Sequence, residues 1–342
     1  MDSAEYYRDI ETLPLAALLT KYPHAADYLA NLRLDHLDAS CTFFAALTPD
    51  VEEGLEEFGL NAEDICGNFV QFLSSFADRD ESAGRITSLT ILGGQNKSGE
   101  AESAEITIRP GEVISIVGPT GSGKSRLLED IEALAQRDTP TKRQILLNGS
   151  VPSEEQRFSL GGKLVAQLSQ NMNFVMDISV ISFLIMHAKS RMIADYEAAA
   201  EKCFAAANTL AGEKFSRDTK VTQLSGGQSR ALMISDTALM SSSPIILIDE
   251  IENAGIDRKK ALELLSGGDK IILMSTHDPL LALNGSKRIV ISNGGIAAVL
   301  ETTDEERESL AMLEEIDSVI QNARNTLRCG RRIEKEMMMK KT

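Results

Sequence analysis

One stretch limits the folds open to this chain more than any other: Gly118-Pro119-Thr120-Gly121-Ser122-Gly123-Lys124-Ser125, directly behind the apolar run Val113-Ile114-Ser115-Ile116-Val117. It fits G-x-x-x-x-G-K-[ST], with a strand-like run before it and a helix-compatible run, Arg126 to Ala135, after it. Glycines let the backbone curl so that successive N–H groups point inward at an anion. The following helix adds the positive end of its dipole. Lys124 is placed to reach β- and γ-phosphates, and the Ser125 hydroxyl to ligate Mg²⁺. A glycine-rich turn that binds nothing needs neither the lysine nor the serine, so the stretch implies a nucleoside triphosphate site.

The chain has 342 residues, more than one domain usually holds, and its 43% hydrophobic content is enough for a full core. No apolar run reaches the roughly 18 residues of a membrane span, Ser179 to His187 coming nearest, and the N-terminus lacks the basic and apolar regions of a signal peptide. Cys41, Cys66, Cys203 and Cys329 are widely scattered, which suits reduced thiols in a cytoplasmic protein. The net charge of −16 is unevenly spread: residues 1–84 hold 17 acidic and 4 basic residues, the remainder 34 and 31. The first segment is thus a compositionally separate unit, and its acidity argues against nucleic acid as a ligand, because phosphate contacts require Lys and Arg.

Residues 1–80 read as short helices: Leu13 to Leu19 and Ala25 to Leu32 around Tyr22-Pro23, a third capped at Thr48-Pro49 and closed by Gly59, and a longer one capped at Asn61 and running to Phe76. Residues 81–85 suit a linker. From residue 86 the pattern changes. Ile86 to Leu92, Ala104 to Ile108, Arg143 to Leu147, Lys270 to Met274 and Arg288 to Ser292 are candidate strands, and Pro244 to Ile248 is a continuous apolar run, as in a buried parallel strand. Residues 176–240 are mostly helical in pattern. Strands alternating with helices around a phosphate loop indicate an α/β fold with a largely parallel sheet over residues 86–302. Residues 303–342 form a C-terminal helix and tail: Thr303 to Leu327 puts Leu310, Leu313, Ile316, Val319 and Ile320 on one face, and from Arg324 onward there are seven basic and two acidic residues. Such a tail is a solvated end, or a contact for the acidic N-terminal unit or another anionic partner.

Asp249-Glu250 closes the apolar run Ile245 to Ile248. An aspartate at the carboxyl end of a buried strand is well placed to hold Mg²⁺, and the adjacent glutamate to polarise an attacking water. Leu224-Ser225-Gly226-Gly227-Gln228 lies just upstream, and Ser275-Thr276-His277-Asp278 one strand later.

In this order these motifs resemble the ABC ATPase family, a P-loop NTPase fold with a helical subdomain. The resemblance implies ATP and Mg²⁺ as ligands and two cassettes that face each other, each ATP lying between one phosphate loop and the partner's signature. It implies that Ser225, Gly226, Gly227 and Gln228 act in trans and that Glu250 and His277 are catalytic. Gln170, ten residues before Val180, is matched to the family's glutamine loop as sensor of Mg²⁺ and water, with Gln167 as the alternative. Mg²⁺ would then be held by Ser125, Asp249 and Gln170. Three departures stand out. Ile251 occupies the place of a proline; the aspartate loop, matched at Asp257, is one residue longer; and the arginine usual after the signature is replaced around Asp236. No aromatic stands near Leu92-Gly93-Gly94 to stack on adenine. In residues 13–73 the pattern is similar to a small helical domain fused to iron-centre repair proteins. There a pair of adjacent cysteines follows a Leu-Asp step; here Cys41 stands nearby without a neighbour, so a helical interaction module is expected.

Three jobs suit such an ATPase: the engine of a membrane transporter docked on a permease at the inner face of a membrane, a soluble ATPase of protein or metallocentre assembly or repair, and a slow ATP-dependent dimerisation switch. Lys124 and Ser225 are 101 positions apart, which leaves no room for a long coiled-coil insertion and suits the transporter engine. The other two jobs remain open. A permease or protein partner could dock through the N-terminal helical domain.

Overall fold

The computed structural model describes residues 3–22, 25–32, 34, 36–49, 51, 65–73, 85–158, 163–169, 174–250, 252 and 256–334. The chain divides into two compact units, Met1–Arg85 and a larger one built from Ile86–Ser159 and Lys163–Thr342. Among the described residues no helix is long and apolar enough to cross a membrane.

The first unit is helical: Ser3–Thr12, Leu15–Lys21, Ala25–Asn31, Phe43–Ala46 and a helical run over 65–73. Its core gathers Tyr6, Ile10, Leu15, Leu18, Phe43 and Phe69, and Tyr28 stacks on Phe69 with ring centroids 4.8 Å apart. Cys41 is half-buried, with its thiol against Asp38. The caps expected at Asn61 and the helix end expected at Gly59 lie outside the described residues.

The larger unit holds two sheets. β1 (Leu89–Leu92), β2 (Glu105–Ile108) and β4 (Gln144–Leu147) form a three-stranded antiparallel sheet in the order β2-β1-β4. β3 (Val113–Val117), β5 (Val165–Leu168), β6 (Ile245–Asp249), β7 (Ile271–Ser275), β8 (Lys287–Ser292) and β9 (Gly295–Glu301) form a six-stranded sheet in the order β5-β6-β7-β3-β8-β9. It is parallel from β5 through β8, and β9 returns antiparallel. The largely parallel sheet is therefore present, but the separate antiparallel sheet was not foreseen. The strand expected from Ile86 begins at Leu89, because residues 85–88 are irregular.

The two sheets and the helix Lys124–Glu132 share one apolar core that includes Leu89, Ile91, Ile114, Ile116, Leu127, Ile145 and Leu273. At its margin Arg143 is fully buried between two carboxylates, 2.6 Å from Glu102 and 2.9 Å from Asp130. Burial opposes ionisation of Glu102, but hydrogen bonds from Arg143 and from the Gly94 and Ile296 N–H groups hold its carboxyl below the usual range. Arg143 also donates to the Gly294 carbonyl, so one guanidinium fastens the β1–β2 loop, the phosphate-loop helix and the β8–β9 turn together.

Beyond β5 lies a helical layer of Val180–Ser190, Tyr196–Leu210 and Gly226–Met240 around Val180, Leu184, Cys203, Ala207 and Leu232. Ser179, Asp195 and Ser225 cap these helices with side-chain oxygens, each accepting an N–H at the third position inside. The C-terminal helix, Asp304–Arg328, starts at a Thr303–Glu306 capping box. No residue of it is buried; on the apolar face expected over Leu310 to Ile320, Leu310, Leu313 and Val319 are half-buried and Ile316 and Ile320 exposed.

Candidate functional site

β6, β7 and β3 are neighbours in the parallel sheet, and the three functional segments stand side by side at its carboxyl edge: Asp249-Glu250 at the end of β6, Thr276-His277 after β7, and the phosphate loop after β3. Parallel pairing is the reason, since it puts the carboxyl ends of neighbouring strands at one edge, where ligands bind in such sheets.

The loop's backbone needs its glycines. Gly118, Gly121 and Gly123 have φ of 153°, 77° and 108°. A Cβ at Gly118 would sit 2.3 Å from the Ile291 carbonyl oxygen, so β8 passes too close for any side chain there. Gly123 is the N-cap of Lys124–Glu132 and supplies no side-chain cap, which leaves the first N–H groups of that helix for a ligand. Pro119 closes a turn by accepting from Ser122 N at 3.1 Å, and Ser122 O accepts from Gly294 N at 2.7 Å. Thr120 and Gly121 form the exposed crest. Lys97, from the β1–β2 loop, donates to the Gly121 carbonyl at 2.8 Å.

The side chains converge. Lys124 Nζ donates to the Gly118 and Pro119 carbonyls at 3.0 and 3.3 Å and lies 3.0 Å from His277 Nε2. His277 Nε2 is also 3.3 Å from Glu250 Oε1. Ser125 Oγ donates to Asp249 Oδ2 at 3.1 Å. Asp249 Oδ1 is buried with no hydrogen-bond partner. A serine hydroxyl beside a carboxylate whose second oxygen is unsatisfied is a hard, oxygen-only donor set beside a phosphate loop, so these residues fit Mg²⁺.

Three further residues shape this edge and were not singled out from the sequence. Arg230, buried on the signature helix, donates to the Glu250 carbonyl at 2.8 Å and is offset electrostatically by Glu252, Asp249 and Glu250. Glu252 Oε1 accepts from Thr276 Oγ1 at 3.0 Å and from His277 N at 2.5 Å, holding the histidine loop. Arg258 pairs with Asp278, the residue after the histidine, and with Asp317 on the C-terminal helix at 3.0 Å. Spacing offers no signal for Glu252 or Arg258, but an arginine two residues after Gln228 is visible in the sequence. Glu250 itself has φ +48°, a left-handed conformation that a non-glycine residue adopts only when its surroundings enforce it.

The remaining expected residues lie elsewhere. Ser225 and Gly226 are exposed at the start of the signature helix, with Gly227 and Gln228 half-buried. Ser225 and Gln228 form a reciprocal capping box, and Gln228 Nε2 donates to the Glu213 carbonyl at 3.2 Å. Asp257 caps the helix Arg258–Ser266 and pairs with Lys260 at 2.9 Å. Gln170 lies outside the described residues; Gln167, on β5, points its amide at Glu132. Asp236, where the family's arginine is replaced, is fully buried. Arg191 binds it bidentately at 2.6 and 2.9 Å, and His187 Nδ1 lies 3.2 Å away.

Comparison with known proteins agrees with this geometry. The family model described as ABC transporter matches residues 101–253. The chain is 50% identical over 252 residues, 73% of its own length and 96% of the other's, to an uncharacterized ABC transporter ATP-binding protein of Methanocaldococcus jannaschii. It is 28% identical over 199 residues, 56% of its length and 86% of the other's, to the lipoprotein-releasing system ATP-binding protein LolD of Psychrobacter arcticus. A solved ATP binding subunit of an ABC transporter has a similar fold, with TM-score 0.50 and 20% identity over 65% of this chain and 93% of that one. A phosphate loop and Asp-Glu and histidine segments meeting at one sheet edge, together with half-identity across nearly the whole of a relative, place this chain in the ABC transporter family as an ATP-binding cassette ATPase.

Proposed function

We propose that this chain is the nucleotide-binding subunit of a membrane transporter, binding MgATP between two cassettes and hydrolysing it to drive a mechanical cycle. The observation that supports this most is that His277 Nε2 lies 3.0 Å from Lys124 Nζ and 3.3 Å from Glu250 Oε1, beside the Ser125–Asp249 pair. Lys124 and the loop N–H groups bind the β- and γ-phosphates; Ser125 and Asp249 would hold Mg²⁺, which would supply charge that offsets that of the phosphates. Glu250 accepts a proton from the attacking water as its oxygen bonds to the γ-phosphorus and the bond to the ADP oxygen breaks. His277 stands beside that centre. Ser225, Gly226 and Gly227, at the exposed start of the signature helix, close the site of the second cassette. On this reading Gln170 would sense Mg²⁺ and water, and Asp257 would belong to the aspartate loop. The names of the relatives support the transporter role. The acidic helical unit is the surface for a permease or other protein partner.

Glu250→Gln keeps the side-chain shape but removes the basic carboxylate. With ATP and Mg²⁺ this variant is expected to run as a dimer on size exclusion holding unhydrolysed ATP, and adding Ser225→Arg should abolish that ATP-dependent dimer. A Glu250→Gln protein that hydrolyses ATP at the wild-type rate would refute the catalytic assignment. An ATP-dependent dimer indifferent to Ser225→Arg would refute the shared site. Failure to recover a permease with the chain from native membrane fractions would count against the transporter role.

A further inference from the structure

The C-terminal helix is 25 residues long, and none of its side chains is buried. One flank is tied to the cassette through charge: Glu306 to Arg288 at 2.5 Å, Glu314 to Lys259 at 3.1 Å and Asp317 to Arg258 at 3.0 Å. Another flank is apolar. Leu313, Ile316, Ile320, Ala323 and Leu327 follow one another at alternating steps of three and four, the spacing of a coiled-coil seam. Ile316, Ile320 and Leu327 are 56%, 41% and 59% exposed. Charge is segregated along the same segment: residues 304–317 hold seven acidic and one basic residue, whereas residues 318–332 hold four arginines and no acid.

A seam of this spacing fits another helix, and the charge distribution selects which helix and in which direction. A second copy laid parallel would set acid against acid and arginine against arginine. Laid antiparallel, it sets each acidic half against a basic half. We propose that the C-terminal helices of two copies pair antiparallel about a twofold axis at Ile320, forming an interface between copies. Such an isologous contact is self-complementary: Leu313 meets Leu327 of the second copy, Ile320 meets its own mate, and Asp317 lies beside Arg324 of the second copy. Arg258 and Lys259 hold each helix in place before pairing, which reduces the ordering entropy that association must offset. The seam spans two heptads, so the pairing is expected at micromolar chain concentration and should weaken with salt.

The test uses the full chain in EDTA without nucleotide, so that closure of the ATP site does not contribute. Sedimentation velocity is expected to show a dimer that Ile316→Asp with Ile320→Asp weakens by roughly tenfold or more, since each places a charge in the seam. A monomer at tens of micromolar, the result if the acidic N-terminal unit covers the helix within one chain, would overturn the proposal, as would a dimer indifferent to both substitutions. Direction is tested by oxidation with copper phenanthroline. Ile320→Cys in a Cys329→Ser background should give a disulfide-linked dimer that the background variant alone does not. Native Cys329, exposed near the helix end, would stand about 27 Å from its mate at 1.5 Å per residue, far beyond the roughly 7 Å that a disulfide spans. A parallel pair would bring both Ile320→Cys and native Cys329 to their mates, so cross-linking through native Cys329 would exclude the antiparallel arrangement.

Discussion

Arg230 donates to the main-chain oxygen of Glu250 across 2.8 Å, from the helix that begins at the signature to the residue that follows β6. Glu250 is held there at φ +48° by that bond and by its own N–H, which donates to the Ser275 carbonyl at 3.0 Å. Together they fix where the carboxylate stands relative to His277. Arg230 is thus a positioning residue that acts through Glu250.

Arg230→Ala is expected to lower kcat by roughly ten- to a hundredfold, because a hydrogen bond from a charged group contributes about 1.5–3 kcal/mol and each 1.36 kcal/mol is tenfold in rate. KM for ATP should change little, since Lys124 and the loop are untouched, and Arg230→Lys should restore part of kcat. Steady-state kinetics on all three proteins decides it. A fall in thermal stability with kcat intact would mean that Arg230 is only structural.

Lys124→Ala should remove most ATP binding. The ammonium lies among the Gly118 and Pro119 carbonyls and His277 Nε2, where a γ-phosphate would be its stronger partner. Calorimetry should show at least a roughly tenfold loss of affinity, from about 1.5–3 kcal/mol per charged hydrogen bond. Equal affinity in the two proteins would contradict the phosphate-loop assignment.

Base selectivity should be weak. Phe158 is the one aromatic residue between 85 and 158, and the side chain placed on the loop's crest is Lys97. Base–aromatic stacking contributes about 1–3 kcal/mol in other settings. Without it the affinities for ATP and GTP should fall within roughly a hundredfold of each other. A larger preference in competition binding would show that another side chain reads the base.

Asp236 should dominate the acid sensitivity of the helical layer. Burial works against its charge, but hydrogen bonds from His187 and Arg191 outweigh burial and hold its carboxyl below the ordinary value of 3.8. A carboxyl with a lowered folded pKa contributes stability that is fully present above its unfolded pKa and lost as pH falls through the folded value. Asp236→Asn should therefore destabilise the protein by about 3 kcal/mol near neutrality, as for breaking a buried ion pair. The gap between the two proteins should narrow only below about pH 4. Thermal unfolding across pH measures this, and a gap that closes well above pH 4 would contradict the assignment to Asp236.

What the sequence determined by itself was whatever depends on contiguous residues. The three glycines at positive φ, the lysine and serine behind them, and the apolar runs that become β3, β6 and β7 are local demands of backbone and burial, so they are written locally. The extent of the C-terminal helix was legible for the same reason, although its cap at Thr303 was not. Tertiary structure decided the partners. Asp236 looked like a lost arginine until Arg191, 45 residues away, was found bound to it. Glu252 and Arg258 are unremarkable in sequence; their grip on the histidine loop exists because β6 and β7 are parallel neighbours. Arg143 reads as part of a strand, yet it bridges Glu102, Asp130 and Gly294 from three separate segments. The antiparallel sheet β2-β1-β4 was hidden because pairing direction and register are set between strands, and three short apolar runs are compatible with several arrangements. Charge pairing and strand pairing are properties of two places in the chain at once, and only folding brings those places together.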